Sequence, residues 1–210
     1  MSQEHLVLLG DSILDNAPYT RPRPDTTSLL RQLIGERWTV ELVALDGSRM
    51  VDIAEQVMRI DRPSTAVLSI GGNDATKHIG MLSKPATSSA AVIGELLSMA
   101  DDFGRRYEAV LDQTIPVVSR LIVCTIYEVR LEPLEIGRLA RVPIALLNDR
   151  ILRAAAARGL DVLDLRAVCT EDADFTLEIE PSALGAAKIA HAIAGVVEMR
   201  ADRYGRVFGP

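Results

Sequence analysis

Polar and small residues follow three apolar segments in the first half of the chain. Gly10, Asp11 and Ser12 come directly after the first segment, Gly47 follows the second, and Asn73 follows the third after a pair of glycines. A serine hydroxyl can act as a nucleophile, whereas backbone N–H groups at glycines and an amide side chain can stabilise an oxyanion. Together these residue types indicate acyl transfer.

Each of these groups also has an ordinary structural explanation. Gly10, Asp11 and Ser12 are all turn-forming types, so they could form only a strand-to-helix turn. Gly47 could be a turn glycine, and Asn73 could lie in a loop before a helix. The case for chemistry depends on their order, because the carboxyl ends of successive parallel strands meet at one edge of a sheet.

The apolar segments alternate with helical patterns, which is typical of a parallel sheet with helices on both faces. The predicted strands are 5–9, 39–45, 66–70, 121–126 and 162–165. The predicted helices are 25–37, 50–60, 89–114, 139–158 and a last helix capped by Ser182. We therefore predict the α/β class, as a three-layer α/β/α sandwich with a parallel five-stranded sheet in the order 2-1-3-4-5.

Length and composition favour one domain over residues 1–210, with a loosely ordered tail after about residue 202 that could instead pair with another subunit. The net charge of −6 argues against nucleic acid as a partner. No apolar segment is long enough for a signal peptide or a membrane span, so we expect a cytoplasmic protein with no membrane partner. Cys124 and Cys169 fit this expectation as buried free thiols.

The first and third groups together resemble the GDSL or SGNH hydrolase family of lipases and esterases. The segment Gly10-Asp11-Ser12-Ile13 is similar to the family's first block, with Ser12 as the nucleophile. Gly47 is similar to the oxyanion glycine of the second block, which is a weak signal by itself. The segment Gly71-Gly72-Asn73-Asp74 resembles the third block, with Asn73 as the side-chain oxyanion donor. The resemblance runs from residue 7 to about 197 and implies a flavodoxin-like fold.

The last block departs from the family pattern. The family has an Asp, two further residues and the catalytic His, followed by a helix. Here Glu180 stands at the position of the His, before Pro181 and Ser182, and Leu177 stands at the position of the Asp. The base and the group that orients it are therefore both replaced.

A carboxylate at position 180 leaves two functions open. Glu has a reference pKa near 4.3, against about 6.5 for His, but burial would raise it toward the range of a useful base. The resemblance then implies a serine esterase or thioesterase that cleaves a small acyl ester without a cofactor. Its oxyanion hole would be Ser12 N–H, Gly47 N–H and Asn73, and its base Glu180. The alternative is a degenerate member that binds an acyl-bearing ligand or partner without turnover.

Three histidines are candidates for the missing base. His78 follows the third group by five residues and could lie near the site as a substitute base. His5 begins the first strand, at the wrong end, and His191 falls in the last helix as a surface residue. A separate alternative is an oxygen-rich cation site, although the family uses the first-block Asp structurally and we expect no metal. Its ligands would be Asp11, Asp46 and Asp74.

Overall fold

A six-stranded sheet forms the centre of the protein. The computed structural model describes residues 3–62, 64–199 and 206–209. The order of the sheet is β2-β1-β3-β4-β5-β8, and every neighbouring pair is parallel. Its strands are β1 (Glu4–Gly10), β2 (Trp38–Leu42), β3 (Thr65–Ser69), β4 (Arg120–Cys124), β5 (Asp161–Leu163) and β8 (Val207–Phe208).

Helices connect the strands and cover both faces of the sheet. They are α1 (Ala17–Thr20), α2 (Thr26–Ile34), α3 (Ile53–Val57), α4 (Gly72–Thr76), α5 (Ser89–Thr114), α6 (Leu134–Ala157), α7 (Leu165–Val168) and α8 (Ala183–Glu198). A second, two-stranded sheet pairs β6 (Phe175–Thr176) with β7 (Glu180–Pro181) in antiparallel fashion.

The central strand β1 is buried because its side chains alternate between two hydrophobic cores. Leu6 and Leu8 belong to a core completed by α2 and α8. Val7 and Leu9 belong to the opposite core, completed by α3, α5 and α6. These two cores make the molecule a three-layer α/β/α sandwich, as predicted.

The sheet has one strand more than predicted. The order of β1 to β5 agrees with the prediction, but β8 adds a parallel edge strand beside β5. The Asp164 N–H donates to the Phe208 carbonyl at 2.7 Å, and the Val162 N–H donates to the Arg206 carbonyl at 2.7 Å. The part of the tail at residues 206–209 is therefore paired within the chain. The rest of the tail prediction concerns residues 200–205 and 210, which lie outside the described residues.

Serine side chains cap the N-terminal ends of two long helices, α5 and α8. α5 has the predicted bounds, and the Ser88 hydroxyl accepts from the Ala91 N–H at 3.1 Å at its start. At α8 the Ser182 hydroxyl accepts from the N–H groups of Leu184 and Gly185, at 3.1 and 3.3 Å. Because this cap directly follows β7, it fixes the strand that carries position 180. Within the described ranges, no helix has the length and apolar character needed to cross a membrane.

Candidate active site

A pocket opens at the carboxyl ends of β1, β3 and β4, the edge at which parallel sheets usually bind ligands. The polar part of its wall contains Ser12, which follows β1, and Asn73 on α4. Glu180 on β7 adds a carboxyl group to this part. The structure thus brings three of the four predicted site residues to one pocket, whereas Gly47 is not among the residues that line it.

A sharp turn after β1 places Ser12 in the pocket wall. Gly10 has a φ of +132°, and a Cβ atom there would collide with the backbone carbonyl of Ser69. The Asp11 N–H donates to that same carbonyl at 3.2 Å. Within the described residues, the Ser12 N–H donates to no protein group. It is therefore available to a ligand.

The loop after β2 packs against the turn after β1. The Leu45 N–H donates to the Gly10 carbonyl at 3.1 Å, and the Asp46 N–H donates to the Asp15 carboxylate at 3.0 Å. Gly47 is exposed at the tip of this loop, with a φ of +79°. Its N–H has no acceptor in the part of the chain that the structure describes. This N–H group is unengaged and belongs to a loop held against the nucleophile turn.

The helix α4 is tied to the loop after β2. The Asn73 amide donates to the Ser48 carbonyl at 2.9 Å. An amide nitrogen carries two hydrogens, so the second one can donate to a ligand in the pocket. The next residue, Asp74, accepts from the Met50 N–H at 3.0 Å and from Arg106 at 2.7 Å. These contacts orient the Asn73 side chain.

Glu180 is a buried carboxyl group beside Ser12. Burial raises its pKa, and the charge of Asp46 raises it further, while the Ser12 hydroxyl, as a hydrogen-bond donor, lowers it; the net effect is a raised pKa. The Oε2 atom is buried and has no hydrogen-bond partner among the described residues.

The loop between β6 and β7 has an uncommon backbone. Leu177 and Glu178 both have positive φ, at 47° and 69°. The Arg130 N–H donates to the Glu178 carbonyl at 2.8 Å, and the Tyr127 hydroxyl donates to the Ile179 carbonyl at 2.7 Å. Leu177 is 71 % exposed. The position of the family's orienting Asp is therefore occupied by an apolar side chain that faces solvent.

Asp11 is a second buried carboxyl group in the pocket wall. It is 2 % exposed. Burial raises its pKa to about 7, the charges of Glu180 and Asp74 act in the same direction, and the hydrogen bond from the Ile13 N–H opposes them. The resemblance assigned Asp11 only a structural role. The structure adds that Asp11 lines the same pocket as Ser12, and its raised pKa means that it holds a proton at mildly acidic pH.

Gln56 is a buried residue for which the sequence alone predicted no part in the site. Its side chain accepts from the Gly10 N–H and donates to the Gly10 carbonyl, both at 2.8 Å. It also donates to the Ser48 hydroxyl at 3.2 Å. Gln56 thus links the nucleophile turn to the loop that orients Asn73. The available signal was its spacing of three from Ile53, which places it on the buried face of the helix.

The three histidines lie on different elements of the structure. His78 is half-buried and lines the pocket. His5 is buried elsewhere, with its Nδ1 2.7 Å from the Ser64 hydroxyl and its Nε2 3.2 Å from the Glu41 carboxylate. His191 is exposed on α8. Only His78 among them can reach a ligand in the pocket.

The carboxylates considered as cation ligands have protein partners. Asp46 accepts from the Tyr19 hydroxyl at 2.7 Å, and Asp74 forms an ion pair with Arg106. Across residues 3–62, 64–199 and 206–209, no three His, Cys, Asp or Glu side chains are grouped as metal ligands.

Comparison with known families gives one match over most of the chain. The sequence profile of the GDSL-like lipase/acylhydrolase family matches residues 8–188. This range contains the turn of Ser12, the loop of Gly47 and the hairpin of Glu180. Comparison with curated protein sequences gave no match.

Solved structures with the same fold include lipases and esterases. A lipase from a goat rumen metagenome has a TM-score of 0.71 at 15 % identity, covering 95 % of this chain and 100 % of that one. An extracellular lipase from Streptomyces rimosus has a TM-score of 0.67 at 15 % identity, with coverages of 93 % and 100 %. An acetylxylan esterase from Geobacillus stearothermophilus has a TM-score of 0.65 at 16 % identity, with coverages of 96 % and 97 %. At these identities the likeness shows the fold.

Proposed function

This chain belongs to the GDSL-like lipase/acylhydrolase family, and we propose that it hydrolyses carboxylic esters with Ser12 as nucleophile and Glu180 as base. The observation that carries the proposal is the pairing of these two side chains in one pocket. A serine hydroxyl is a weak nucleophile unless a neighbouring base takes its proton. Glu180 is the buried carboxyl group in hydrogen-bonding reach of that hydroxyl.

The reaction divides into two steps. In the first, the Ser12 oxygen attacks the ester carbonyl carbon, and Glu180 takes the hydroxyl proton. The bond from carbon to the alcohol oxygen then breaks, and the leaving alcohol takes that proton from Glu180. In the second step water attacks the acyl carbon, and Glu180 takes one proton from the water. The bond from the acyl carbon to the Ser12 oxygen then breaks, Glu180 returns the proton to that oxygen, and the acid leaves. A raised pKa suits Glu180 to both directions of proton transfer, since the best catalytic pKa lies near the working pH.

The proposed oxyanion hole consists of the Ser12 N–H, the Gly47 N–H and the Asn73 amide. Two observations support it: the two N–H groups have no acceptor in the described structure, and one Asn73 hydrogen remains after the bond to Ser48. Gly47 is exposed outside the pocket wall, so its N–H must reach the ligand from the rim. Each such donor contributes on the order of 3 kcal/mol to the rate in related chemistry.

Binding without turnover is the second candidate function. The observation in its favour is Leu177, because its exposed side chain leaves Glu180 without an orienting carboxylate. A serine site that lacks an effective base still retains roughly 10³–10⁴-fold catalysis from its oxyanion hole and binding. Slow turnover therefore separates the two candidates less well than covalent trapping does.

A fluorophosphonate probe tests the nucleophile. We expect the parent protein to become labelled at Ser12, with labelling lost in Ser12→Ala and kept in Ser69→Ala, which removes another serine from the same pocket. Mass spectrometry of the labelled peptide provides the readout. If the parent stays unlabelled while a known serine esterase reacts under the same conditions, the binding function becomes the better account.

A further inference from the structure

A third hydrophobic cluster lies apart from the two cores that sandwich the sheet. Its buried members are Leu131, Ala140 and Ile144, and the partly buried side chains packed against it include Ile79 and Leu82. All five also line the pocket that contains Ser12. This cluster therefore forms an apolar extension of the active-site pocket, which we call the apolar end.

The helix α6 forms one wall of the apolar end. It contributes Ala140, Pro143, Ile144 and Leu147. The first and last of these positions are seven steps apart along the helix, so this wall runs for about 10 Å at 1.5 Å per residue. Ala140 presents only a methyl group to the pocket, so a larger side chain at this position would project into it. The apolar end is thus an elongated surface and not a shallow depression beside the nucleophile.

The opposite wall comes from two loops that are fastened together. Leu131 and Ile179 line the pocket from these loops. The hydrogen bonds from the Arg130 N–H to the Glu178 carbonyl and from the Tyr127 hydroxyl to the Ile179 carbonyl join them. A wall whose loops are joined by hydrogen bonds within the protein is formed before a ligand arrives, which reduces the entropic cost of binding.

The charges of the pocket define what can enter. Asp11 and Glu180 are the acidic residues in its wall, and no Lys or Arg among the described residues lines it. A carboxylate or phosphate would meet no Lys or Arg side chain there and would be repelled by Glu180. The ligand for this surface is a neutral group with an extended hydrocarbon part.

We propose that the apolar end binds the acyl chain of the substrate, so that the enzyme prefers esters of medium-length straight-chain acids to acetyl esters. This inference rests on the proposed function, because the chain is placed by the carbonyl that Ser12 attacks. It exceeds the small acyl group that the sequence led us to expect. Each buried methylene contributes about 0.8 kcal/mol, which corresponds to about a fourfold gain in kcat/KM.

A chain-length series tests the preference. With p-nitrophenyl acetate, butanoate, hexanoate and octanoate, we expect kcat/KM of the parent to rise about fourfold per methylene until the pocket is filled. Ala140→Phe should abolish most of this rise with chain length. Leu139→Phe changes the neighbouring residue, which is exposed and does not line the pocket, and should keep the parent's profile.

A second variant covers the case in which Ala140→Phe fails to fold. Ile144→Ala enlarges the apolar end and should shift the preference towards longer chains, and thermal denaturation shows whether each variant is folded. A flat profile in the parent, or equal profiles for folded Ala140→Phe and Leu139→Phe, would overturn the inference.

Direct binding separates this inference from the proposed function. We expect Ser12→Ala to bind n-octanol in a calorimetric titration, and the added Ala140→Phe change to remove that binding. If octanol binds in this way but the parent cleaves no ester, the apolar end is a hydrocarbon-binding surface, and the hydrolase proposal and the ester preference both fail. If esters are cleaved but octanol does not bind and chain length has no effect, the hydrolase proposal stands and the acyl site is wrong.

Discussion

At the scale of single residues, the pocket places two buried carboxyl groups next to one serine. Burial is the largest influence on the pKa of both Asp11 and Glu180, and it raises both. Two ionised carboxylates in one apolar pocket repel each other, so one tends to hold its proton. The pKa of Asp11, raised to about 7, makes it the group that stays protonated at mildly acidic pH. Glu180 is then free to act as the base.

The raised pKa of Asp11 predicts how stability changes with pH. An unfolded Asp releases its proton near pH 3.9, whereas folded Asp11 keeps it up to about pH 7. The folded state therefore binds more protons between these values, and this residue's contribution to stability falls as pH rises through that window. Asp11→Asn removes this ionisation. The free energy of unfolding of the variant, relative to that of the parent, should therefore increase by about 1–3 kcal/mol between pH 5 and pH 8.

Urea denaturation of parent and Asp11→Asn at both pH values measures this difference. Comparing the two proteins at each pH cancels the titration of groups that they share. A free-energy difference that is the same at pH 5 and pH 8 would show that Asp11 ionises with an ordinary pKa.

At the scale of elements, one side chain of α3 links the turn after β1 to the loop after β2. Gln56 satisfies both the N–H and the carbonyl of Gly10 in a buried setting. Gln56→Ala leaves these groups without partners, which costs about 1–3 kcal/mol for each. We expect a loss of about 2–5 kcal/mol in the free energy of unfolding and a fall in kcat, since the turn of Ser12 loses its support. Glu55→Ala, at an exposed neighbour on the same helix, should change neither quantity.

Chemical denaturation and ester hydrolysis, measured on the same preparations, check this prediction. A Gln56→Ala protein with the stability and kcat of Glu55→Ala would contradict the role that we assign to Gln56.

The elements that could be predicted from the sequence have local signals. The bounds of α5 follow from the cap at Ser88 and the stop near Pro116, and the cap at Ser182 fixes the start of α8. The hydrogen-bond partners of Gln56 have no such local signal. Gly10 is 46 residues away along the chain, and the fold alone brings Gln56 against Gly10 and Ser48. The apolar end is harder still to predict from the sequence. Its residues come from separate segments, and each segment by itself has the pattern of an ordinary helix or loop.

At the scale of the whole molecule, the C-terminal strand β8 closes one edge of the sheet. Val207 and Phe208 are too few to form a strand pattern, so the sequence did not predict this strand. Both residues nevertheless pair with β5. Arg206 also contributes to the charge environment of Asp161. Burial would raise the pKa of that carboxyl, but hydrogen bonds from Arg206 and Arg120 outweigh burial and lower it.

Removal of residues 200–210 tests the importance of this edge. The truncated chain loses the two backbone hydrogen bonds to β8 and leaves Asp161 with only part of its positive surroundings. We expect a loss of about 1–3 kcal/mol in the free energy of unfolding, or roughly 2–12 °C in Tm. The KM for esters should not change, because none of residues 206–209 lines the pocket. Differential scanning calorimetry showing an unchanged Tm would contradict a structural role for β8.

The raised pKa of Glu180 gives the proposed reaction its pH dependence. Only the ionised carboxylate can accept the Ser12 proton, so kcat/KM should fall as pH drops through the raised pKa of Glu180. Glu180→Gln keeps the shape of the side chain and removes the charge, so it removes the base without opening a cavity. Glu178→Gln is its matched control, with the same substitution on the same loop at an exposed position.

The most direct test is kcat/KM of Glu180→Gln for an activated ester. It is measured beside the parent and Glu178→Gln, from acidic pH up to neutral pH, so that the raised pKa of Glu180 is crossed. We predict a loss of about 10²–10⁴-fold, the usual span for a general base, and disappearance of the acidic limb of the pH profile. Glu178→Gln should match the parent. If Glu180→Gln keeps the parent's activity and its pH profile, Glu180 is not the base and His78 becomes the next candidate in the pocket.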